Sequence, residues 1–167
     1  MKYFVTENYL KVVTAINPNI QVEHLVPFTK TVAEMWTRPI LGLYFYDYLL
    51  AAYNAQTLTS DEETLVGYIQ SGIAWRSASE AVISTSYQIT QKGVQKQNSD
   101  NSESAEFNEI AMVQGMYIQK AEFYESFLVK WLKENKDLFP NFTSLLNKDS
   151  IIKPQVGDNF NGYFRII

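Results

Sequence analysis

The sequence predicts a mainly α-helical fold: a small bundle with a long polar loop and an extended C-terminal tail. Three observations carry this. Glycine and proline are scarce, at seven and five in 167 residues. The long segments repeat apolar residues at spacings of three and four, the period of one helix face. Hydrophobic residues make up 46% of the chain, and a chain of about 150 residues buries roughly 68–70% of its unfolded surface, so one core is within reach. We read residues 1–167 as one domain without internal repeats, with a short β element expected only in the loop or tail.

A short helix is expected over Thr6 to Ala15, ended by the turn Asn17-Pro18-Asn19. The next helix begins near Val22 to Pro27, because a first turn tolerates a proline whose missing N–H has no partner there anyway. Phe28, Val32, Met35 and Trp36 then form its apolar stripe. Pro39 disfavours helical geometry at Arg38, so this helix is expected to stop there. Gly42 lets the backbone turn before helix resumes over Leu43 to Ala55.

Ser60-Asp61-Glu62-Glu63 reads as a capping box, with the Ser60 hydroxyl reaching the N–H of Glu63. The following helix runs to about Tyr87. Its stripe is Leu65, Ile69, Ile73, Trp75, Ala78 and Val82, and Gly67 and Gly72 mark the expected close approach of another helix. The longest helix is expected from about Ser104 to Asn135, with Phe107, Ile110, Val113, Tyr117, Ala121, Tyr124, Leu128 and Trp131 on one side. Glu103 and Glu106 at its start, and Lys133 and Lys136 at its end, match the helix dipole. Phe139-Pro140 closes it.

Two segments break the pattern. Residues 88–105 are rich in Gln, Asn and Ser, and a polar connection this long is usually functional or disordered. Either it is disordered, or it is an arm that orders against a neighbour. The tail, about 141–167, ends in Asn159-Phe160-Asn161-Gly162-Tyr163-Phe164-Arg165-Ile166-Ile167, where Asn-Gly between apolar residues signals a turn or hairpin. It docks on its own domain or adds as a strand to a partner.

Composition limits the chemistry. There are no cysteines and one histidine, His24, so disulfides, thiolate sites and most metal or triad sites fall away. His24 itself reads as a structural histidine. Glu106 and Glu109 lie at i, i+3, but a solvated face explains them better than a cation site. Asp61, Glu62 and Glu63 are explained by capping. Gly93 is a turn glycine, not part of a phosphate loop. Glu134-Asn135-Lys136 is similar to a nuclease Glu-x-Lys but lacks a preceding acid. We expect no enzyme activity, no cofactor and no metal. The net charge is −4, with lysine and arginine scattered, which argues against a tight grip on nucleic acid. No stretch approaches the ~20 apolar residues of a membrane helix, nor does MKYFVTENYLK contain a signal-peptide core. The expectation is a soluble intracellular protein. Its 24 aromatic residues (11 Tyr, 10 Phe, 3 Trp) serve either the core or subunit contacts.

The stretch from Val22 to Leu50 resembles the head–tail connector proteins of tailed bacteriophages, closest to the ring proteins of crAss-like phages. The matching residues are Pro27-Phe28, Pro39-Ile40-Leu41-Gly42, Tyr44 and Tyr48-Leu49-Leu50. Weaker likeness continues through Lys92-Gly93-Val94, Ala121-Glu122-Phe123-Tyr124 and Phe139-Pro140.

The resemblance implies a non-enzymatic virion protein at the head–tail neck, assembled in the host cytoplasm. It implies a ring, twelve-fold in the family, beneath the portal. Its partners would be other copies of itself, the portal and the adjacent neck or tail ring, with double-stranded DNA passing through the lumen without sequence-specific binding. In the family, arms and C-terminal segments make contacts between subunits. The candidate interface residues here are Lys92, Gly93, Val94, Phe160, Tyr163 and Phe164. The competing expectation is a non-viral helical scaffolding or protein-interaction module.

Overall fold

The structure is a computed structural model and describes residues 3–14, 16, 19–20, 25–90, 93–96 and 106–139. It is mainly α-helical. The elements are α1 (Glu7–Val13), α2 (Val26–Val32), a π-turn (Ala33–Thr37), α3 (Arg38–Leu41), α4 (Leu43–Ala55), α5 (Ser60–Ser86), β1 (Tyr87–Thr90), β2 (Gly93–Lys96), α6 (Phe107–Glu134) and a 3₁₀ turn (Lys136–Leu138).

The two long helices α5 and α6 form the backbone of the bundle and make its most extensive contact. The expected α5 stripe is largely inside, with Leu65, Ile69, Ile73 and Ala78 buried. From α6, Ile110, Ala121, Leu128 and Leu132 are buried. Gly72 lies where a Cβ would sit 3.7 Å from Glu125 Cγ, so the α5–α6 approach there is ordinary van der Waals contact. Gly67, by contrast, has no neighbour within 4 Å of such a Cβ. The expected close approach is therefore absent at Gly67, and its place on α5 simply faces open space.

The N-terminal segment plugs the core. Phe4 is fully buried and its ring meets Tyr46 and Tyr53 at centroid distances of 5.6 and 5.7 Å. Its backbone is left-handed (φ 61°), and Gln70 Nε2 donates to its carbonyl at 2.7 Å. Thr6 caps α1, accepting from the N–H of Tyr9. Tyr9 and Ser71 hydroxyls at 3.2 Å then tie α1 to α5.

Several expectations are corrected. Helix does not stop at Arg38: Arg38 is helical (φ −60°, ψ −41°) and α3 continues to Leu41. The chain accommodates Pro39 by widening the turn before it. Ala33–Thr37 is a π-turn, and the N–H of Arg38 donates to the carbonyl of Ala33, five residues back. Single π-turns of this kind absorb one extra residue within a helix. The rotation changes which residues face inward. Thr29, Val32, Ala33, Thr37 and Leu41 are buried, and Met35, expected in the core, is exposed. Gly42 is the true end. It adopts φ 76°, ψ 156°, a region closed to side-chain-bearing residues, and its N–H bonds the carbonyl of Arg38.

The α5 cap is one residue earlier than expected. Thr59, not Ser60, is the N-cap, accepting from the N–H of Glu62, whose carboxylate accepts from the N–H of Thr59 at 2.9 Å. Glu62 is buried and also accepts from Tyr48 Oη at 2.9 Å. Only this register lets the carboxylate serve both partners. On α6, Glu106 and Glu109 form the reciprocal capping box, which gives both carboxylates a structural task. Helix begins at Phe107, and the Phe107 ring, expected on the core face, is exposed.

Candidate interaction surface

Strands β1 and β2 are antiparallel, pairing Tyr87 with Lys96, Gln88 with Gln95, Ile89 with Val94 and Thr90 with Gly93. The first part of the expected loop is therefore β structure. Among the candidate interface residues, Gly93 and Val94 lie in β2. Lys92, Phe160, Tyr163 and Phe164 lie outside the described residues, as do His24 and positions 97–105. Of the six, the structure describes Gly93 and Val94.

It reveals instead a surface the sequence reading passed over. Helix α6 carries a second apolar row, well round the helix from its buried residues: Met112 (68% exposed), Met116 (47%), Phe123 (64%) and Phe127 (39%). At 100° per residue these four fall within about 60° of one another on the helix circumference. The row could be found in the sequence by counting two apolar registers on one helix rather than one. Trp75 of α5 flanks it. Lys120 Nζ stands 4.0 Å over the Trp75 ring and 5.7 Å from the Tyr117 ring, a cation–π arrangement. Trp75, Met116, Lys120, Phe123 and Tyr124 line an open apolar cleft of about 430 Å³. At the far end of the row, Tyr68 meets Phe127 edge-on at 4.9 Å.

A second exposed face lies on α4. Its inner side, Phe45, Tyr46, Leu49 and Leu50, is buried. Its outer side presents Tyr44 (52% exposed) and Tyr48 (43%), with Asp47, Ala51 and Ala55 also exposed. Asp47 bonds Arg38 Nη2 at 3.2 and 3.3 Å. Hydrogen bonding to Glu62 raises the pKa of the Tyr48 hydroxyl.

A cleft of about 450 Å³ beside α4 and α5 is lined by Tyr53, Asn54, Gln56, Leu58, Glu63, Val66 and Gln70, and Glu63 is the one carboxylate among these described residues. No group of three potential metal-ligating side chains occurs among the described residues. No helix among them is long and apolar enough to cross a membrane.

These features define the class: a helical bundle in which α4 and α6 each present aromatic side chains that the other described residues leave exposed. Residues 37–150 match a family of unknown function, DUF6712, and the chain belongs to that family. The match takes in α3 to α6, and with them the Pro39–Gly42 corner and both exposed faces. Comparison with curated proteins and with solved structures returns no match.

Proposed function

We propose that this protein is a ring-forming subunit of the neck of a tailed bacteriophage, joining the portal to the tail and lining the channel through which DNA leaves. The observation that carries the reading is the pair of faces, one on α4 and one on α6, that the described residues leave exposed. Exposed apolar side chains grouped on one helix face suit contact with a partner, and a cyclic ring needs two different faces on every subunit. The resemblance of Pro39-Ile40-Leu41-Gly42 and its flanks to head–tail connectors supplies the setting. The acidic balance of the chain suits a conduit, since a ring of chains each at −4 does not hold passing DNA by charge.

The test is made on virus particles. Disrupting the reading frame in the phage that carries it is expected to give DNA-filled heads without tails. Mass spectrometry and imaging of intact particles are expected to find the chain at the neck, in a multiple set by the ring. Normal tailed particles in its absence overturn the reading in favour of a non-viral scaffolding module.

A further inference from the structure

We infer that copies of this chain join head to tail, the Met112–Met116–Phe123–Phe127 row of one α6 seating the Tyr44–Asp47–Tyr48 face of the next copy's α4, with Lys120 meeting Asp47. The inference rests on the ring reading for its symmetry and goes beyond it by naming both faces and the ion pair that sets their register.

Charge selects this pairing. Asp47 is the only charged residue of α4, and it sits between the two exposed tyrosines. Lys120 falls between Met116 and Phe123 in sequence and flanks the α6 row on the side of Trp75. If either face paired with itself about a two-fold axis, Lys120 would meet Lys120, or Asp47 would meet Asp47. Like charges placed together at an interface are costly, and this is how interfaces reject wrong partners. Pairing α6 with α4 replaces that repulsion with an attraction. Neither charge is locked in the free subunit. The Asp47–Arg38 bridge is exposed on both sides, and such pairs hold weakly. Among the described residues, Lys120 is held over the faces of Trp75 and Tyr117.

Shape agrees. The cleft beside Trp75 and Phe123 is open and apolar, fit for a tyrosine ring with its hydroxyl toward the rim. Beyond Tyr48, the exposed residues on the same side of α4 are Ala51 and Ala55, small enough for a second helix to lie close. Area sets the scale. Phe123 and Phe127 together expose about one full ring, roughly 150–250 Å². A stable interface takes about 800 Å² from each partner, so the row is the centre of an interface whose rim surrounding residues complete.

The chain has no cysteine, so directed cross-linking is clean. Gln119→Cys, beside the α6 row, and Ala51→Cys, on the α4 face, both replace exposed residues. The two variants are mixed in equal amounts at about 1 mM, where any Kd tighter than about 1 mM populates the complex, and oxidised. The mixed dimer is expected to exceed either homodimer about tenfold. Adding Lys120→Glu to the first variant, or Asp47→Lys to the second, is expected to lower the yield about tenfold. Combining both reversed charges is expected to restore it, with circular dichroism unchanged throughout. Homodimers in excess, or no rescue by the double reversal, overturn the inference. So does a chain that stays monomeric by light scattering and does not cross-link. If light scattering shows oligomers that do not cross-link through these positions, this pairing fails while the ring reading stands. The ring reading itself is decided on particles lacking the chain.

Discussion

Arg76 on α5 and Glu125 on α6 form a two-pronged ion pair, with Nε donating to Oε1 at 3.1 Å and Nη2 to Oε2 at 2.7 Å. The guanidinium also stacks 4.2 Å over the ring of Trp36 in the π-turn. Arg76 is only 5% exposed. One side chain thus joins three elements that are far apart in sequence. A planar fork suits this task, because it binds a carboxylate edge-on while its flat face covers an aromatic ring. The π-turn that absorbs Pro39 also belongs to this arrangement, since it contains Trp36.

Removing one partner of this pair is predicted to cost more than removing both. Glu125→Ala leaves a buried guanidinium uncompensated and is expected to destabilise by about 3–5 kcal/mol. Replacing the pair with Arg76→Met and Glu125→Leu is expected to recover most of that loss, because well-packed apolar replacements of buried ion pairs are often neutral. Urea unfolding midpoints of the two single variants and the double variant check this. An additive double variant contradicts it.

Tyr46 is predicted to be a stability cost that a phenylalanine removes. Its ring is buried in the core, but its hydroxyl finds no hydrogen-bond partner among the described residues. A buried polar group left unpaired costs about 1–3 kcal/mol, so Tyr46→Phe is expected to stabilise the fold by about 1 kcal/mol at neutral pH. The same site sets an alkaline limit. Burial, with Glu34 as the next cause, pushes the Tyr46 pKa up from 10.0 to about 12. The unfolded chain then loses this proton before the folded one. The contribution is fully present below pH 10 and falls away as pH rises towards 12. The loss is on the order of 2 kcal/mol. Thermal melts across that range are expected to show a shallower fall for Tyr46→Phe than for the parent chain.

The register of the α5 cap gives a sharp comparison between adjacent residues. Thr59→Ala removes the hydroxyl that accepts from Glu62 N–H and is expected to cost about 1 kcal/mol. Ser60→Ala is expected to change stability by less than about 0.5 kcal/mol, as for a surface site without such a role. Equal losses at both positions in chemical denaturation contradict the assignment.

What the sequence made legible follows from how local each feature is. The helices were readable because their apolar spacing is a property of neighbouring residues, and Leu65, Ile69, Ile73 and Leu128 are inside as that spacing requires. The α5 cap was off by one because Thr59 and Ser60 are equally good N-caps in isolation. The Glu62 carboxylate, accepting from Tyr48 fourteen residues away, is what favours Thr59. The helix expected to stop at Arg38 runs on to Leu41 for a related reason. A proline forbids the ordinary hydrogen bond, but not the wider π-turn that the packing of Trp36 on Arg76 holds in place. The exposed α6 row was missed because one helix carries two apolar registers, and periodicity alone does not say which of them the bundle covers. Both exposed faces look like ordinary core positions until tertiary packing leaves them out.

The Pro39–Gly42 corner ends on the one backbone position here that no other residue fits without strain. Gly42 has φ 76° and ψ 156°, a combination essentially restricted to glycine and costing on the order of 1–3 kcal/mol for other residues. It joins α3 directly to α4, and the N–H of Tyr46 donates to its carbonyl at 3.0 Å. The backbone angle here therefore aims all of α4, both its buried side and its Tyr44–Tyr48 face. Gly42→Ala is expected to lower stability by that amount, and to weaken self-association beyond the share that unfolding explains, because the α4 face is turned away from its neighbour. Pro39→Ala is the contrasting control. Pro39 is exposed and has no N–H to lose, so its replacement is expected to leave both stability and association nearly unchanged. Chemical denaturation, paired with the Gln119→Cys and Ala51→Cys cross-linking measured well below each variant's unfolding transition, separates the two effects. A Gly42→Ala chain that loses stability but cross-links at the parental yield would show that the corner supports the fold without orienting the α4 face.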